Sequence, residues 1–480
     1  MIASSALDFL PAALQERLAS ATGKTFQVIS PATGTPIGAA QDHNAADAQD
    51  AIERTVAAFA RYKLTTAYER SALLRKWFGL LIEHELSLAR LMALEMGKPI
   101  SEARGEVRYA AGFIEWYAEE ARRVYGDILP ASAANKRLFA TRQPVGPVYA
   151  ITPWNFPMAM VTRKAGPALA AGCTFILKPA EQSPLTALYM AWLWEQAGGD
   201  PDVFQVITTA DPIPVTRAMM DDTRIRKLTF TGSTEVGKLL YAQSAATMKR
   251  ISLELGGHAP FLVFADADLD LAVKEVVACK FRNAGQTCVC TNRVYVQERI
   301  AEAFTEKLAA AVAALRVGDP LDANTQIGPL VDAQGLHKVE AHVADAVARG
   351  AQIVTGGSAR DGLYFDPTVI THCAPGMLIM EEETFGPIAP VLTFREDADA
   401  IRAANDTPYG LAAYLYTRDL DRAIRVSEAL DYGIIGLNDG LPSVPQAPFG
   451  GVKQSGIGRE GGYWGIQEYL DVKYISLALH

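Results

Sequence analysis

Apolar residues recur with a helical period in the first part of the chain and in short runs further on. Residues 47–62 and 69–96 carry apolar positions at helical spacing, and Gly97 follows as a stop signal, so this pattern predicts helices. After residue 145, short apolar runs alternate with helical patterns. Strands separated by helices are typical of βαβ units, and the alternation therefore predicts an α/β fold with a parallel sheet.

The alternation divides into two regions and a tail. The first region predicts strands at 145–152, 174–177, 203–207 and 227–230 and helices at 159–171, 184–197 and 212–220. The second predicts strands at 259–264 and 293–296 and helices at 269–281 and 300–314, and the pattern recurs to about residue 416. A strand-rich tail at 469–479 is expected to pair with another part of the fold or with a second subunit. Ligands bind beyond the carboxyl ends of parallel strands, so the loops there are candidate sites.

Composition limits the function classes. The chain has 480 residues, of which 49% are hydrophobic and 21% charged, so we expect a globular protein of two or three domains. A net charge of −9 argues against a partner that is nucleic acid or an anionic membrane. The longest nearly apolar stretch, 165–177, is too short to cross a membrane, since a spanning helix needs about 20 residues.

Location and metal binding are predicted from the termini, cysteines and histidines. Residues 1–18 show no secretory signal, and the five cysteines form no even disulfide framework, so a reducing, cytoplasmic location is expected. The seven histidines have no metal-ligand spacing, and no metal site is predicted. Asp266, Asp268 and Asp270 imitate a calcium loop, but Leu271 stands where that loop needs glycine.

A glycine-containing turn follows the predicted strand at 227–230. Backbone amides at such a turn, before a helix, can hold phosphate. The segment 232–238 matches the first seven positions of a nucleotide-triphosphate loop, but Leu239 replaces the hydroxyl residue that would bind magnesium. The pattern therefore disfavours a nucleotide triphosphatase, and such a turn by itself is more often structural than functional.

Cys288 and Glu254 are the candidate reactive residues. Cys288 follows a small polar loop, where a thiol can be exposed and activated, although a lone cysteine is more often a buried small hydrophobe. Glu254 stands among apolar residues beside Gly256 and Gly257. Burying an acid there is costly unless its raised pKa is used, so the pair favours a catalytic interpretation.

Seven short motifs identify a family. The motifs lie at 153–157 (PWNFP), 178–181 (KPAE), 230–233 (FTGS), 254–257 (ELGG), 285–288 (GQTC), 383–387 (ETFGP) and 448–451 (PFGG). By these motifs the sequence resembles the aldehyde dehydrogenase superfamily over nearly its whole length. Each motif alone is weak, but seven in this order are specific.

The resemblance implies the architecture. It predicts a Rossmann-type cofactor domain at 1–124 and 144–257 and an α/β catalytic domain at 258–455. A small β oligomerisation element at 125–143 and 456–480 would join copies into a homodimer or homotetramer. The family's cofactor domain lacks the usual GxGxxG turn, and none follows the early strands here.

The resemblance also implies a mechanism. The Cys288 thiolate would attack the aldehyde carbon, and the Asn155 side chain with the Cys288 backbone N–H would form the oxyanion hole. Hydride transfer would leave a thioester, and Glu254 would activate the water that hydrolyses it. A structural family member without activity would lack one of these residues, and all three are present.

The cofactor is expected to be NAD, with NADP as the alternative. By resemblance, the residues that contact it are Trp154, Lys178, Glu181, Gly232, Ser233, Glu383 and Phe385. A carboxylate at Glu181 can accept a hydrogen bond from a ribose 2′-hydroxyl but repels a 2′-phosphate, which favours NAD.

Within the superfamily, the sequence is most similar to succinate-semialdehyde dehydrogenases, which implies an EC 1.2.1.- activity on an aldehyde with a distal carboxylate. The residues that match the family's carboxylate site are Arg163, Arg282 and Ser443, and arginine suits it because its planar fork donates two parallel hydrogen bonds. The loop 439–446 departs from the family pattern by carrying two prolines. Glutarate semialdehyde or another ω-carboxylated aldehyde is therefore the alternative substrate.

Cys290 lies two residues after the candidate nucleophile. In some succinate-semialdehyde dehydrogenases a second cysteine here forms a reversible disulfide with the catalytic one. A Cys-Val-Cys bridge is strained and easily reduced, so Cys290 is a candidate redox switch, with a packed thiol of no further role as the alternative.

Overall fold

Helices cover a two-stranded hairpin at the start of the chain. The computed structural model describes residues 6–20 and 23–480; residues 1–5, which belong to the segment predicted to lack a secretory signal, and 21–22 lie outside it. The first elements are α1 (Ala12–Ala19), β1 (Thr25–Ile29), β2 (Pro36–Gln41), α2 (Ala45–Tyr62), α3 (Ala67–Glu83), α4 (Glu85–Met96) and α5 (Ile100–Glu120). The helix predicted at 47–62 is confirmed.

The prediction of a single helix over 69–96 is wrong, because α3 and α4 share this segment. It breaks at His84, which ends α3 and begins α4 with φ −92° and ψ 16°. The predicted stop at Gly97 is confirmed, because Gly97 closes α4 at φ 78°, a conformation that glycine adopts without a Cβ penalty. The long helix α5 was not predicted.

A mostly parallel sheet of six strands forms the first alternating region. Its strands are β5 (Val148–Ile151), β6 (Phe175–Lys178), β7 (Phe204–Val206), β8 (Lys227–Thr231), β9 (Arg250–Glu254) and β17 (Gly456–Ile457), in the order β17-β9-β8-β5-β6-β7. The connecting helices are α6 (Ala159–Ala171), α7 (Pro184–Gln196), α8 (Pro212–Asp221) and α9 (Thr234–Ser244). All pairs are parallel except β17 with β9, so the predicted parallel sheet is confirmed.

A second sheet of seven strands has its own hydrophobic cluster. Its strands are β10 (Ala259–Val263), β11 (Thr291–Gln297), β12 (Gln352–Thr355), β13 (Thr368–Thr371), β14 (Ile388–Phe394), β15 (Ala412–Tyr416) and β16 (Ile434–Leu437). The helices between them are α10 (Leu269–Phe281), α11 (Glu298–Ala313), α12 (Ala333–Ala348), α13 (Leu378–Glu381), α14 (Asp397–Asn405) and α15 (Leu420–Ala429).

The tail strand pairs with a distant hairpin. After α16 (Gly462–Gln467), β18 (Leu470–Ala478) runs antiparallel to β4 (Lys136–Pro144), which pairs in turn with β3 (Asp127–Leu129). The expected pairing of the tail is therefore present. In the part of the chain that the structure describes, no helix is long and apolar enough to cross a membrane.

Candidate active site

The loop that carries Cys288 is held in an unusual backbone conformation. After α10, three consecutive residues have left-handed φ values: Asn283 (53°), Ala284 (54°) and Gly285 (74°). This conformation costs non-glycine residues about 1–2 kcal/mol each, so the surroundings must hold it. A Cβ on Gly285 would lie 2.1 Å from the Gly386 carbonyl oxygen, which leaves room there for glycine alone.

Hydrogen bonds from three segments fix this loop. The Asn283 N–H donates to Glu102 Oε2 at 2.8 Å, and the Asn283 side-chain amide donates to the Asn155 carbonyl at 3.0 Å. Gln286 accepts the Val331 N–H on its side-chain oxygen at 2.9 Å. Asn155 Nδ2 donates to the Gln286 carbonyl at 3.0 Å, so the predicted oxyanion donor is tied to the loop two residues before Cys288.

Glu254 reaches the same place from the first sheet. It is the last residue of β9, and the segment after it packs directly on the cysteine loop, because a Cβ on Gly257 would lie 2.5 Å from the Cys288 carbonyl oxygen. Glu254 is buried, and among the described residues its Oε2 has no hydrogen-bond partner. Burial raises the pKa of Glu254 well above its usual range, and the negative charge of Glu460 raises it further.

The pKa of the Cys288 thiol is raised in this arrangement. Burial raises its pKa to about 12, and the negative charge of Glu383 adds to that effect, while Arg163 acts in the opposite direction. A nucleophilic thiolate therefore requires a base to take the proton.

Cys288 opens into a cavity of about 340 Å³. The three residues predicted to bind a substrate carboxylate, Arg163, Arg282 and Ser443, line the same cavity. Its other lining residues are Lys98, Glu102, Gly105, Glu106, Tyr109, Phe156, Met160, Thr287, Val289, Leu441 and Phe449. Glu254 is not among the lining residues.

Arg163 is buried and Arg282 is half-buried, and among the described residues each keeps a buried donor atom without a hydrogen-bond acceptor. Arg163, in α6, is 2% exposed and stacks on Phe449 with its guanidinium carbon 3.6 Å from the ring centroid. Its Nε lies 2.8 Å from Glu460 Oε2 without an aligned N–H, so the contact is an ion pair rather than a hydrogen bond. Within the described ranges, Nε and Nη2 of Arg163 and Nε of Arg282 find no hydrogen-bond acceptor.

Ser443 sits on the proline-containing loop 439–446. Its hydroxyl hydrogen-bonds the Tyr109 hydroxyl at 2.5 Å, and the Gly440 N–H donates to Glu275 Oε2 at 3.1 Å. The loop is thus held at both ends, and the two prolines do not remove Ser443 from the cavity.

The predicted cofactor residues gather at the carboxyl ends of the first sheet and beside the cysteine loop. Trp154 and Phe385 pack edge to face with ring centroids 5.6 Å apart. Glu383 Oε1 accepts the Gly257 N–H at 3.1 Å, and burial raises the pKa of Glu383 to about 7. Lys178, which ends β6, donates to Glu181 at 2.6 Å.

The glycine turn that could hold phosphate lies between β8 and α9. Ser233 caps α9 by accepting the Val236 N–H at 3.3 Å. A Cβ on Gly232 would press against the Phe230 ring at 2.4 Å, so the turn requires glycine. A helix start for a pyrophosphate, a Lys–Glu pair for ribose hydroxyls and an aromatic pair for a nicotinamide together fit a dinucleotide.

Comparison with known proteins identifies the family. The model of the aldehyde dehydrogenase family matches residues 18–475. The chain belongs to this family. It is 51% identical over 466 residues, 97% of the chain and 96% of the relative, to the succinate-semialdehyde dehydrogenase [NADP(+)] of Escherichia coli strain K12. It is 51% identical to the glutarate-semialdehyde dehydrogenase of Pseudomonas aeruginosa, with 95% and 94% covered. The crystal structure of a succinate-semialdehyde dehydrogenase from Burkholderia pseudomallei superposes with a TM-score of 0.94 at 52% identity over 95% of each chain.

Sequence reasoning missed one wall of this aldehyde dehydrogenase cavity. Helix α5 contributes Glu102, Gly105, Glu106 and Tyr109, which are spaced as one helical face. Lys98, just before α5, forms a buried ion pair with Glu106 and donates to the Asn155 carbonyl at 2.8 Å. The helical spacing of these polar residues was a signal, but nothing in the sequence says which helix faces the cysteine.

Cys290 lies behind the cavity wall in this family member. It is completely buried, donates to the Gly285 carbonyl at 3.2 Å and does not line the cavity. Its proposed disulfide with Cys288 stays a prediction. Across residues 6–20 and 23–480, no group of three or more His, Cys, Asp or Glu side chains is arranged to hold a metal ion.

Proposed function

We propose that the enzyme oxidises succinate semialdehyde to succinate with NAD(P). The observation that carries the proposal is a pair of arginines that line the cavity of Cys288, the buried Arg163 and the half-buried Arg282. Among the described residues, Arg163 Nη2 and Arg282 Nε are buried donor atoms without a hydrogen-bond acceptor. A buried donor without an acceptor costs about 1–3 kcal/mol, and a substrate carboxylate would remove that cost. Two relatives, a succinate-semialdehyde dehydrogenase and a glutarate-semialdehyde dehydrogenase, support an ω-carboxylated substrate.

In the proposed mechanism, ionised Glu254 takes the Cys288 proton through a water molecule and passes it to solvent, and the Cys288 sulfur attacks the aldehyde carbon. The carbonyl oxygen becomes an oxyanion that the Asn155 amide and the Cys288 N–H stabilise. A bound nicotinamide would accept the hydride, which leaves a thioester on Cys288. Glu254 then takes a proton from water as the water attacks the thioester, and the carboxylate leaves with the thiol restored.

Glutarate semialdehyde is the second candidate, because the cavity has spare room. A Cβ at Gly105 would find no atom within 4 Å, so the α5 wall leaves space for one more methylene. The relative from Pseudomonas aeruginosa is named as a glutarate-semialdehyde dehydrogenase.

The deciding experiment compares Arg282→Ala on charged and neutral aldehydes. We expect KM for succinate semialdehyde to rise about 10- to 150-fold, because a hydrogen bond to a charged group contributes roughly 1.5–3 kcal/mol and its loss leaves the carboxylate poorly matched. KM for a neutral aldehyde should hardly change. The exposed Arg299→Ala is the matched control. Equal losses on both aldehydes would refute carboxylate recognition.

For the cofactor, the proposal is that NAD is preferred over NADP. Glu181 stands beside Lys178 at the end of β6, where its charge would repel a 2′-phosphate. The name of the E. coli relative specifies NADP(+), so the kcat/KM values with the two cofactors must be compared directly. We expect a higher kcat/KM with NAD and a shift towards NADP in Glu181→Ala. An equal or higher kcat/KM with NADP in the unaltered enzyme would overturn the preference.

We also propose that the sheet of β3, β4 and β18 joins copies into a homodimer or homotetramer. Apolar side chains on it are exposed, among them Ile128 (81%), Val472 (63%) and Tyr474 (59%). Such a patch favours a protein partner. Sedimentation of Val472→Lys beside the unaltered chain tests it: a lighter variant is expected, and an unaltered chain that sediments as a monomer contradicts the proposal.

The redox role of Cys290 is likewise a proposal. Its burial and its hydrogen bond to Gly285 mean that the loop must open before the two sulfurs can meet. Peroxide inactivation that dithiothreitol reverses, and that Cys290→Ala abolishes, would support it; inactivation unchanged in that variant would refute it.

A further inference from the structure

The cavity contains carboxylates as well as the cations that would attract a substrate carboxylate. Its lining includes the cations Lys98, Arg163 and Arg282 and the carboxylates of Glu102 and Glu106. Glu106 is fully engaged: it pairs with Lys98 and accepts the Met158 and Ala159 N–H groups, at 2.9 and 3.2 Å, at the start of α6. It therefore has a structural task that explains its burial.

The Glu102 carboxylate makes fewer interactions than that of Glu106. Among the described residues it accepts one hydrogen bond, from the Asn283 N–H, and it forms no salt bridge. That bond places it next to Arg282, at the beginning of the left-handed stretch that leads to Cys288. A negative charge is thus positioned where a substrate carboxylate would bind.

We propose that Glu102 is a specificity-determining residue that takes up a proton when an anionic substrate tail binds between Arg163 and Arg282. The inference rests on the proposed function, since it requires that the substrate carry a carboxylate. It assigns to the α5 wall a role in the pH dependence of substrate binding.

The physical reason is repulsion between two carboxylates in one cavity. Burial already raises the pKa of Glu102 to about 7, although the positive charges of Lys98 and Arg282 lower it. A substrate carboxylate beside it disfavours the ionised form and raises the pKa further. Protonated Glu102 keeps an acceptor for the Asn283 N–H and leaves Arg282 to the substrate.

The sign of the effect follows by linkage. Because binding takes up a proton, affinity is highest at low pH and falls as pH rises between the pKa of the free enzyme and that of the complex. The other titratable or charged groups of this cavity are Lys98, Glu106 and Tyr109 on the α5 side, Arg163 on α6, and Arg282 and Cys288 on the loop. A substitution of Glu102 alone separates its contribution from theirs.

The test uses butyrate, a four-carbon carboxylate without an aldehyde, as a competitive inhibitor of the complete enzyme. For the unaltered enzyme we expect its inhibition constant to rise about tenfold between about pH 6.5 and about pH 8.5, the slope that uptake of up to one proton allows. In Glu102→Gln, which keeps the acceptor for Asn283, the rise should fall below about twofold. Glu115→Gln, an exposed glutamate on the same helix, is the matched control and should keep the full rise.

Each outcome decides the matter. An inhibition constant that does not change with pH in the unaltered enzyme, or that rises equally in Glu102→Gln, overturns the role of Glu102 and leaves the proposed substrate class intact. Butyrate that fails to compete at every pH overturns both. If Glu102→Gln does not fold, calorimetry of butyrate binding to the unaltered enzyme near pH 8, in two buffers of different ionisation enthalpy, measures proton uptake directly, and zero uptake overturns the proposal.

Discussion

Cys288 separates two regions that are built in different ways. On the cavity side, charged side chains are buried close together: Arg163, Lys98 and Glu106 are each under 4% exposed. On the cofactor side, a glycine turn and the helix start at Ser233 stand beside the Lys178–Glu181 pair and an aromatic pair. The cavity thus offers mainly charged side chains to its proposed ligand, and the cofactor side offers backbone amides together with charged and aromatic side chains.

The difference determines what each region tolerates. A buried charge that loses its partner is strongly destabilising, so removing one member of a buried ion pair on the cavity side should cost more stability than changing an uncharged wall residue. The cofactor side depends on conformations that glycine and a helix cap supply, and the same geometry serves any substrate. The substitutions below test whether the two regions are as separate as this comparison implies.

The largest effect is expected at the boundary between the regions. Asn155→Ala should lower kcat by about 10²–10³, because it removes one oxyanion donor. The loss should be equal for carboxylated and neutral aldehydes, since the proposed role of Asn155 is to stabilise the oxyanion at the reacting carbon rather than to bind the tail. Steady-state rates on both aldehydes, with the exposed Asn324→Ala as control, check it. A loss confined to the carboxylated aldehyde would place Asn155 on the cavity side alone.

The next effect should stay within the cavity. Gly105→Leu places a side chain in the open space of the α5 wall, and we expect KM for glutarate semialdehyde to rise about 10- to 100-fold, and for the shorter succinate semialdehyde less. Gly105→Ala, the control, should raise thermal stability slightly, since alanine is favoured over glycine in a helix. The KM for the dinucleotide should not change. A change would show that the cavity side and the cofactor side are coupled.

A smaller effect concerns pH. Glu254 acts as a base only when ionised, and burial together with Glu460 raises its pKa, so kcat should fall as pH drops through that value. Glu460→Gln removes a negative charge and should move this acid limb to lower pH by about one unit. Profiles of kcat against pH for the variant and the unaltered enzyme measure the shift. An acid limb that moves to higher pH in Glu460→Gln would contradict this prediction.

The smallest effect is expected on the cofactor side. Ser233→Ala removes the cap of α9 and should lower the free energy of unfolding by about 1 kcal/mol. It should also weaken dinucleotide binding by a few-fold, while KM for the aldehyde stays constant. Thermal unfolding measures the change in stability, and titration with the dinucleotide, followed by fluorescence, measures the change in affinity. Ser233→Asp restores a helix cap but adds a negative charge, so it separates the effect on stability from the effect on dinucleotide binding.

The family motifs located most of the site, and packing supplied the rest. Cys288 alone was ambiguous, but the matched motifs named Asn155 and Glu254, and the structure brings Asn155 and the segment after Glu254 against its loop. The break at His84 was missed because apolar spacing continues through it. Glu102 was missed because its importance depends on α5 lying against the cysteine loop, a contact between residues 181 positions apart that no local pattern encodes.

The ion pairs of Glu460 have a consequence for synthesis on the ribosome. Lys164 and Glu460 are 296 positions apart, so the arginine and lysine of α6 emerge long before the carboxylate that neutralises them. Until then the nascent chain carries two cations that cannot be buried without a large desolvation cost. The substrate cavity therefore closes late in translation, when this carboxylate reaches α6.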